Sequence, residues 1–267
     1  MTNPTSNEAL VLRADEGGIA TLTLNRPSNY NTLSTPLMLE LKSHLAALKD
    51  DTSVRVVVIT GAGKAFCAGH DLNEMHADPS EAAMQKMFQL CTDNMTGMTH
   101  LPQPVIAKVN GVAAAAGCQL VAQCDLAIAV DTAKFGTSGI NVGLYCSTPS
   151  VPVTRNLGRK QAMELLMTGD MIPADQAERW GLINRAVAAD QLDAAVHEMA
   201  AKIASKNPEA VALGKDLFYR QLEEGMDAAY ERAGKAITCN MQNDATQSAI
   251  DSFLNKTPLT DWPDRKK

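Results

Sequence analysis

The chain has 267 residues, with 24 basic against 30 acidic side chains, a net charge of −6 and a sequence pI near 5.4. That balance excludes a general nucleic-acid or anionic-membrane surface, which needs clustered Lys and Arg, while leaving room for one small anionic ligand at a local site. Hydrophobic residues make up 45% but aromatics only 4%, so the core must be mostly Ala, Val, Leu, Ile and Met, and this helix-forming, aromatic-poor composition argues against an all-β sandwich.

Residues 19–24 alternate apolar side chains with Thr and break at Asn25-Arg26-Pro27, which predicts a strand and its exit loop. Leu37, Leu41, Leu45 and Leu48 form a helical stripe over 37–48. The β-branched run 54–59, ended by Gly61 and Gly63, predicts a buried strand. A Met-rich helix is expected over 81–98, a strand over 105–109, a helix beginning at Cys118 and a strand over 126–130. Strands alternating with helices imply an α/β layer fold with parallel strands, covered on both faces. From there the pattern is helical: 159–168, 173–180, 192–205, 208–222, 226–240 and 245–255. The expected organisation is an α/β core over 1–200 followed by a helical C-terminal region over 201–267.

No run of 18 apolar residues occurs, so no membrane span is expected. Residues 1–8 are polar, without Lys, Arg or an apolar segment, and read as neither a secretory signal nor a transit peptide. Cys67, Cys91, Cys118, Cys124, Cys146 and Cys239 are scattered through the chain. A reduced, cytoplasmic protein is the simplest expectation.

Gly61-Ala62-Gly63-Lys64 lacks the third glycine of a dinucleotide fingerprint and the Ser/Thr of a P-loop. Gly136-Thr137-Ser138-Gly139 fails as a nucleophile elbow because residue 140 is Ile. Cys67 and His70 share a loop, but no second ligand pair has zinc spacing, and no metal is expected. Two loops remain: Phe66-Cys67-Ala68-Gly69-His70-Asp71, and Asn110-Gly111 through Ala116-Gly117-Cys118. Each follows a buried strand, is built of small residues and leads into a helix start. Two free N–H groups aimed at one point from such loops would stabilise an oxyanion; on spacing alone, close helix–strand packing is the favoured explanation. Asp71 and Glu74 have capping-box spacing, which makes Asp71 a helix N-cap. His70 is a group able to titrate near neutrality. Tyr145, Cys146, Ser147 and Thr148 form a polar run that reads as a loop.

These landmarks bring a resemblance. Phe66 through Leu72, Pro104-Val105-Ile106-Ala107 with Asn110-Gly111, Gly117-Cys118-Gln119-Leu120 with Cys124-Asp125, Leu24-Asn25-Arg26-Pro27, Leu166-Met167-Thr168-Gly169 and Ala177-Glu178-Arg179-Trp180-Gly181-Leu182 resemble the crotonase (enoyl-CoA hydratase/isomerase) superfamily. The similarity runs from about residue 10 to residue 257. The stretches around Gln119 and from Asn141 to Pro149 look closest to the enoyl-CoA hydratase domain-containing protein 3-like subgroup. The resemblance implies a spiral of ββα units with a helical C-terminal region that builds homotrimers, commonly paired into hexamers. It implies acyl-CoA as ligand, no prosthetic group, and two backbone N–H donors, which by motif match fall at Ala68 and Ala116. Lys256 matches a basic position near the CoA phosphates, and Arg26 and Lys64 lie where they would assist, beside His70, Asp71 and Leu72.

Two departures stand against ordinary hydration. Where hydratases of this family carry a glutamate after the Gly-Cys pair, this chain has Gln119; where a second glutamate follows Phe-Gly, it has Gly139. Gln119 orients water but does not accept its proton near neutral pH. Tyr145, Cys146 and Ser147 are candidate substitutes. The expectation is an enzyme acting on enoyl- or acyl-CoA thioesters without either usual glutamate. The alternatives are a non-catalytic acyl-CoA-binding protein and a thioester hydrolase.

Overall fold

The computed structural model describes residues 9–259 and 261–265, so the reading of residues 1–8 falls outside it. Strands β1 (Val11–Glu16) and β2 (Ile19–Leu24) form an antiparallel hairpin through Gly17 and Gly18, both at positive φ. Helix α1 (Thr35–Asp50) starts where the Ser34 hydroxyl accepts from the Leu37 N–H, with Pro36 in the first turn. It buries Leu37, Met38, Leu41, Leu45 and Leu48, the stripe read from the sequence.

A ββα pattern then repeats three times. The first unit is β3 (Val56–Gly61), β4 (Ala65–Cys67), α2 (Leu72–Ala77) and α3 (Glu81–Thr99); the second is β5 (Val105–Val109), β6 (Val112–Ala114) and α4 (Ala116–Gln123). The third is β7 (Leu126–Val130), β8 (Lys134–Gly136), a 3-10 turn over Ser138–Val142 and α5 (Ser147–Asn156). There follow α6 (Arg159–Thr168), β9 (Ile172–Pro173), α7 (Ala174–Trp180), β10 (Arg185–Val187) and α8 (Leu192–Ala204). Helices α9 (Pro208–Gln221), α10 (Met226–Met241) and α11 (Asp244–Leu254) are the last described elements.

The first strand of each unit enters a six-stranded sheet of order β1-β2-β3-β5-β7-β10, and the second enters a four-stranded sheet of order β4-β6-β8-β9. Each unit therefore advances both sheets by one strand, which is a spiral. From β2 to β10 the large sheet is parallel. β3 is buried along its whole length, as expected of a strand covered on both faces.

The second sheet is the one that strand periodicity does not reveal. Its strands are two or three residues long, too short to show a period of two. Glycines fix the spacing between its layers: a Cβ on Gly117 would lie 2.0 Å from the Cys67 carbonyl oxygen, and one on Gly111 2.2 Å from that of Lys64. Only glycine lets α4 lie directly on β4. The 145–148 run, expected as a loop, is corrected: Cys146 is the N-cap of α5 and the helix begins at Ser147. Among the described residues, no helix is long and apolar enough to cross a membrane.

Candidate active site

The two small-residue loops meet. β4 pairs in parallel with β6, and Gly69, at φ 104°, is pressed against the turn that opens α4. A Cβ there would lie 3.0 Å from the Ala115 Cβ, 3.2 Å from the Ala114 carbonyl oxygen and 3.4 Å from the Ala116 nitrogen. Ala115 holds φ 48° and ψ −115°, a conformation that costs a residue with a Cβ about 1–3 kcal/mol. Its N–H donates to Gly136 O (2.8 Å), and its carbonyl accepts from Gln119 N (3.0 Å). The strained turn sets Ala116 as the first residue of α4. The Ala116 N–H has no acceptor among the described residues and lies at the positive end of the helix.

The second expected donor, Ala68, needs correction. Its N–H donates to Tyr30 O at 3.0 Å and is engaged within the fold. Two residues on, His70 forms an isolated parallel bridge with Leu33, whose N–H donates to Gly69 O at 2.8 Å. In a parallel bridge the groups flanking the bridged residue face the partner strand, and those of the residue between them turn the other way. The His70 N–H therefore turns away from Leu33, and no described residue accepts it. Each of the abutting loops thus presents an unengaged N–H, that of His70 on one and that of Ala116 on the other.

The His70 imidazole stands edge-on to Phe88 of α3, with centroids 5.3 Å apart at 85°, and its Nε2 is buried without a partner. Burial pushes the imidazole down to about 4, against a weaker upward pull from Glu74, so the expected titration near neutrality does not occur in the folded chain. The unfolded chain protonates this group first, near pH 6.5. Its stabilising contribution is complete above that pH, falls as pH drops towards 4, and is lost below it. Across that window His70→Leu is expected to flatten the pH dependence of unfolding by up to about 3 kcal/mol. Denaturant titrations at pH 4.5 and 7 check this, and equal slopes in both proteins would refute it.

Asp71 is the N-cap of α2 and accepts from Asn73 N (3.1 Å). Burial opposes its charge, but Arg26 and the capping N–H groups hold the carboxyl below the usual range. Glu74 does not complete the capping box; its carboxylate accepts from Thr35 N at 2.9 Å and ties α2 to α1. Arg26 pairs with Asp71 (3.1 Å) and donates to the Thr32 carbonyl and hydroxyl, so its guanidinium is already engaged. Lys64 and Lys256 have exposed side chains, the latter just beyond α11, and Leu72 is exposed at the start of α2.

Gln119 is buried on α4, and its Oε1 accepts from the Cys91 thiol at 4.0 Å. At Gly139 a Cβ would lie 2.6 Å from Leu144 O and 3.0 Å from Cys146 Sγ, so the 139–146 loop closes over the place a side chain would need. Burial pushes the Cys146 thiol up, and the Cys67, Cys91 and Cys118 thiols reach about 12 for the same reason. These sulfurs act as small apolar groups, not nucleophiles. Tyr145 and Ser147 are exposed; the Ser147 hydroxyl donates to Tyr145 O at 3.3 Å, and no hydrogen bond joins either residue to Gln119 or His70. No group of three or more His, Cys, Asp or Glu among the described residues is placed to hold a metal ion. Phe88 and Cys91, which carry the far wall of the site, show no motif in the sequence.

The pattern of the enoyl-CoA hydratase/isomerase family matches residues 14–265. The chain is 39% identical over 253 residues to enoyl-CoA hydratase domain-containing protein 3, mitochondrial, of Rattus norvegicus, covering 95% of this chain and 84% of that protein. Among solved structures, an enoyl-CoA hydratase of Mycobacterium smegmatis matches with a TM-score of 0.93 at 50% identity, covering 95% of this chain and 99% of that one. The human enoyl-CoA hydratase domain-containing protein 3 matches with a TM-score of 0.91 at 38% identity, covering 94% and 99%.

Proposed function

From the premise that the chain belongs to the enoyl-CoA hydratase/isomerase family, with the crotonase fold, we propose that it acts on acyl-CoA thioesters by polarising the thioester carbonyl between the N–H groups of His70 and Ala116. The observation that carries this is the pair of unengaged donors on two abutting loops, one at the N-terminus of α4. As an enolate or tetrahedral oxyanion forms, the carbonyl oxygen gains charge. Preformed donors aimed at that charge are worth about 10²–10³ in rate each. Ala68 and Tyr30 then serve by holding the loop in place.

Ordinary hydration lacks its acid and base in this reading. A positioned carboxylate contributes about 10²–10⁴ in rate, and here Gln119 and Gly139 supply none. The wild type is expected to hydrate crotonyl-CoA slowly, and Gln119→Glu alone to raise that rate at least about tenfold. Gly139→Glu is a poor companion, because its Cβ has no room. Wild-type hydration as fast as that of ordinary hydratases would overturn the assignment of these two positions.

A non-catalytic acyl-CoA binder is the second reading, favoured by the burial of Gln119 beside Cys91 where a carboxylate would be needed. Both readings give thermal stabilisation by acyl-CoA; only the first gives product. Thioester hydrolysis has the least support, since the imidazole is pushed down to about 4 and the Cys146 thiol is pushed up. Released CoA thiol would be its signature.

We assign the CoA phosphates to Lys64 and Lys256, which are exposed and have no ion-pair partner among the described residues. Exposed Phe218, Leu222, Met226, Tyr230, Ile237 and Phe253 on α9–α11 support a homotrimer or a dimer of trimers, with light scattering as the measurement. Six free cysteines, five of them buried, favour a reducing compartment and a cytoplasmic location. The rat relative is named mitochondrial, and cell fractionation separates the two.

A further inference from the structure

We infer that the His70 side chain selects acyl groups that carry a neutral oxygen, a hydroxyl or a ketone, beyond the thioester; this rests on the acyl-CoA reading above. The imidazole lies on Phe88, and the Gln119 carboxamide lies on Cys91. Those two residues are three apart in α3 and so share one helix face. Cys91 also faces Cys67, three residues before His70. His70 and Gln119 thus meet the same face of α3, from the loop and the helix that carry the His70 and Ala116 N–H groups.

Both side chains have hydrogen-bonding capacity that the fold does not use. His70 Nε2 is buried with no partner, and the Gln119 Nε2 donates to no described residue. A buried polar atom left unpaired is costly, and an alkyl chain laid beside it leaves it so. An oxygen on the chain satisfies it. A hydrogen-bonding site discriminates against an analogue lacking the oxygen for the same reason.

The electrostatics specify a neutral oxygen. Burial keeps the imidazole uncharged at pH 7, and the charge acting on it is that of Glu74, which repels a carboxylate. Phe88 and Glu74 also line a cleft of about 1210 Å³ between α1, α2 and α3, with Leu39, Met84 and Met87 among its apolar lining; His70 and Gln119 do not line it.

Calorimetric titration of the intact protein with butyryl-CoA, 3-hydroxybutyryl-CoA, 4-hydroxybutyryl-CoA, acetoacetyl-CoA and succinyl-CoA tests this. At least one hydroxy or oxo thioester should bind about tenfold tighter than butyryl-CoA, and succinyl-CoA should show no such gain. His70→Leu should bring the preference within about twofold, and His70→Asn, which keeps a neutral donor, should restore part of it. Equal wild-type affinity for butyryl-CoA and every oxygenated thioester overturns the inference, as does a preference that survives His70→Leu in a variant whose melting shows it folded. Binding of none of the five would instead sink the acyl-CoA reading, and this inference with it.

Discussion

Lys215→Met is expected to lower the unfolding free energy by about 3–5 kcal/mol. The Lys215 ammonium, 8% exposed on α9, pairs with Asp125 at 2.7 Å and donates to Met98 O (2.8 Å) and Gln103 O (2.9 Å). Asp125 also accepts from the Tyr219 hydroxyl and from Val105 N, each at 2.6 Å. This cluster ties α9 to the end of α3, the start of β5 and the turn between α4 and β7. Burial pulls the ammonium below the usual lysine range despite Asp125, so the intact cluster is not a large net source of stability. Breaking it is costly, because methionine leaves one buried carboxylate and two carbonyl groups without their cation. Denaturant unfolding measures the loss. Lys215→Met combined with Asp125→Asn should recover part of it, since the stranded charge is gone. A loss below about 1 kcal/mol in the single variant would show that water reaches the cluster and that the C-terminal helices are held by other means.

The sequence makes visible what depends on neighbours along the chain. Val56 through Ile59 is a continuous β-branched run bounded by Gly61, and it is the fully buried β3. The α1 stripe and the Asp71 cap were equally plain, because each is a local signal of spacing or of one side chain reaching two residues on. Long-range contacts were not. The motif match found the loop of residues 66–71 but placed the donor at Ala68. Which N–H is free there is set by the Leu33 bridge, 37 residues away, and an extended chain reverses its facing at every residue. His70 looked like a neutral-pH titrator because nothing nearby in sequence announces Phe88, 18 residues on, which buries it. Glu74 had capping-box spacing, yet a main-chain donor on α1 outcompeted the local one. The polar run 145–148 ahead of Pro149 looked like a loop, although Pro149 falls in the first turn of α5, where a missing N–H is harmless. Fold class and loops were legible; which N–H groups those loops leave unengaged required the tertiary register.

Removing the Ala116 N–H is expected to lower turnover of an acyl-CoA thioester by about 10²–10³, the usual effect of losing one oxyanion donor. Proline is the substitution that deletes this one atom, and position 116 tolerates it, being the first residue of α4. Ala115 presents the obstacle: it already holds φ 48°, and a following proline restricts its backbone further. The experiment therefore uses Ala115→Gly as its reference and Ala115→Gly/Ala116→Pro as its test. The reference alone should be more stable than wild type by about 1 kcal/mol, since glycine adopts that conformation without strain. A conjugated hexadienoyl-CoA supplies a readout that needs no turnover. Donors on its carbonyl oxygen draw electrons along the chain and shift its ultraviolet band to longer wavelength when it binds. The reference protein should show that shift and the Ala116→Pro variant should lose most of it while the CoA portion still binds. Retention of the shift, or turnover within about threefold of the reference, would mean that the charge is met elsewhere. The strain at Ala115 would then have no catalytic purpose, and the pair formed by His70 and Ala116 would be a packing device between α4 and β4.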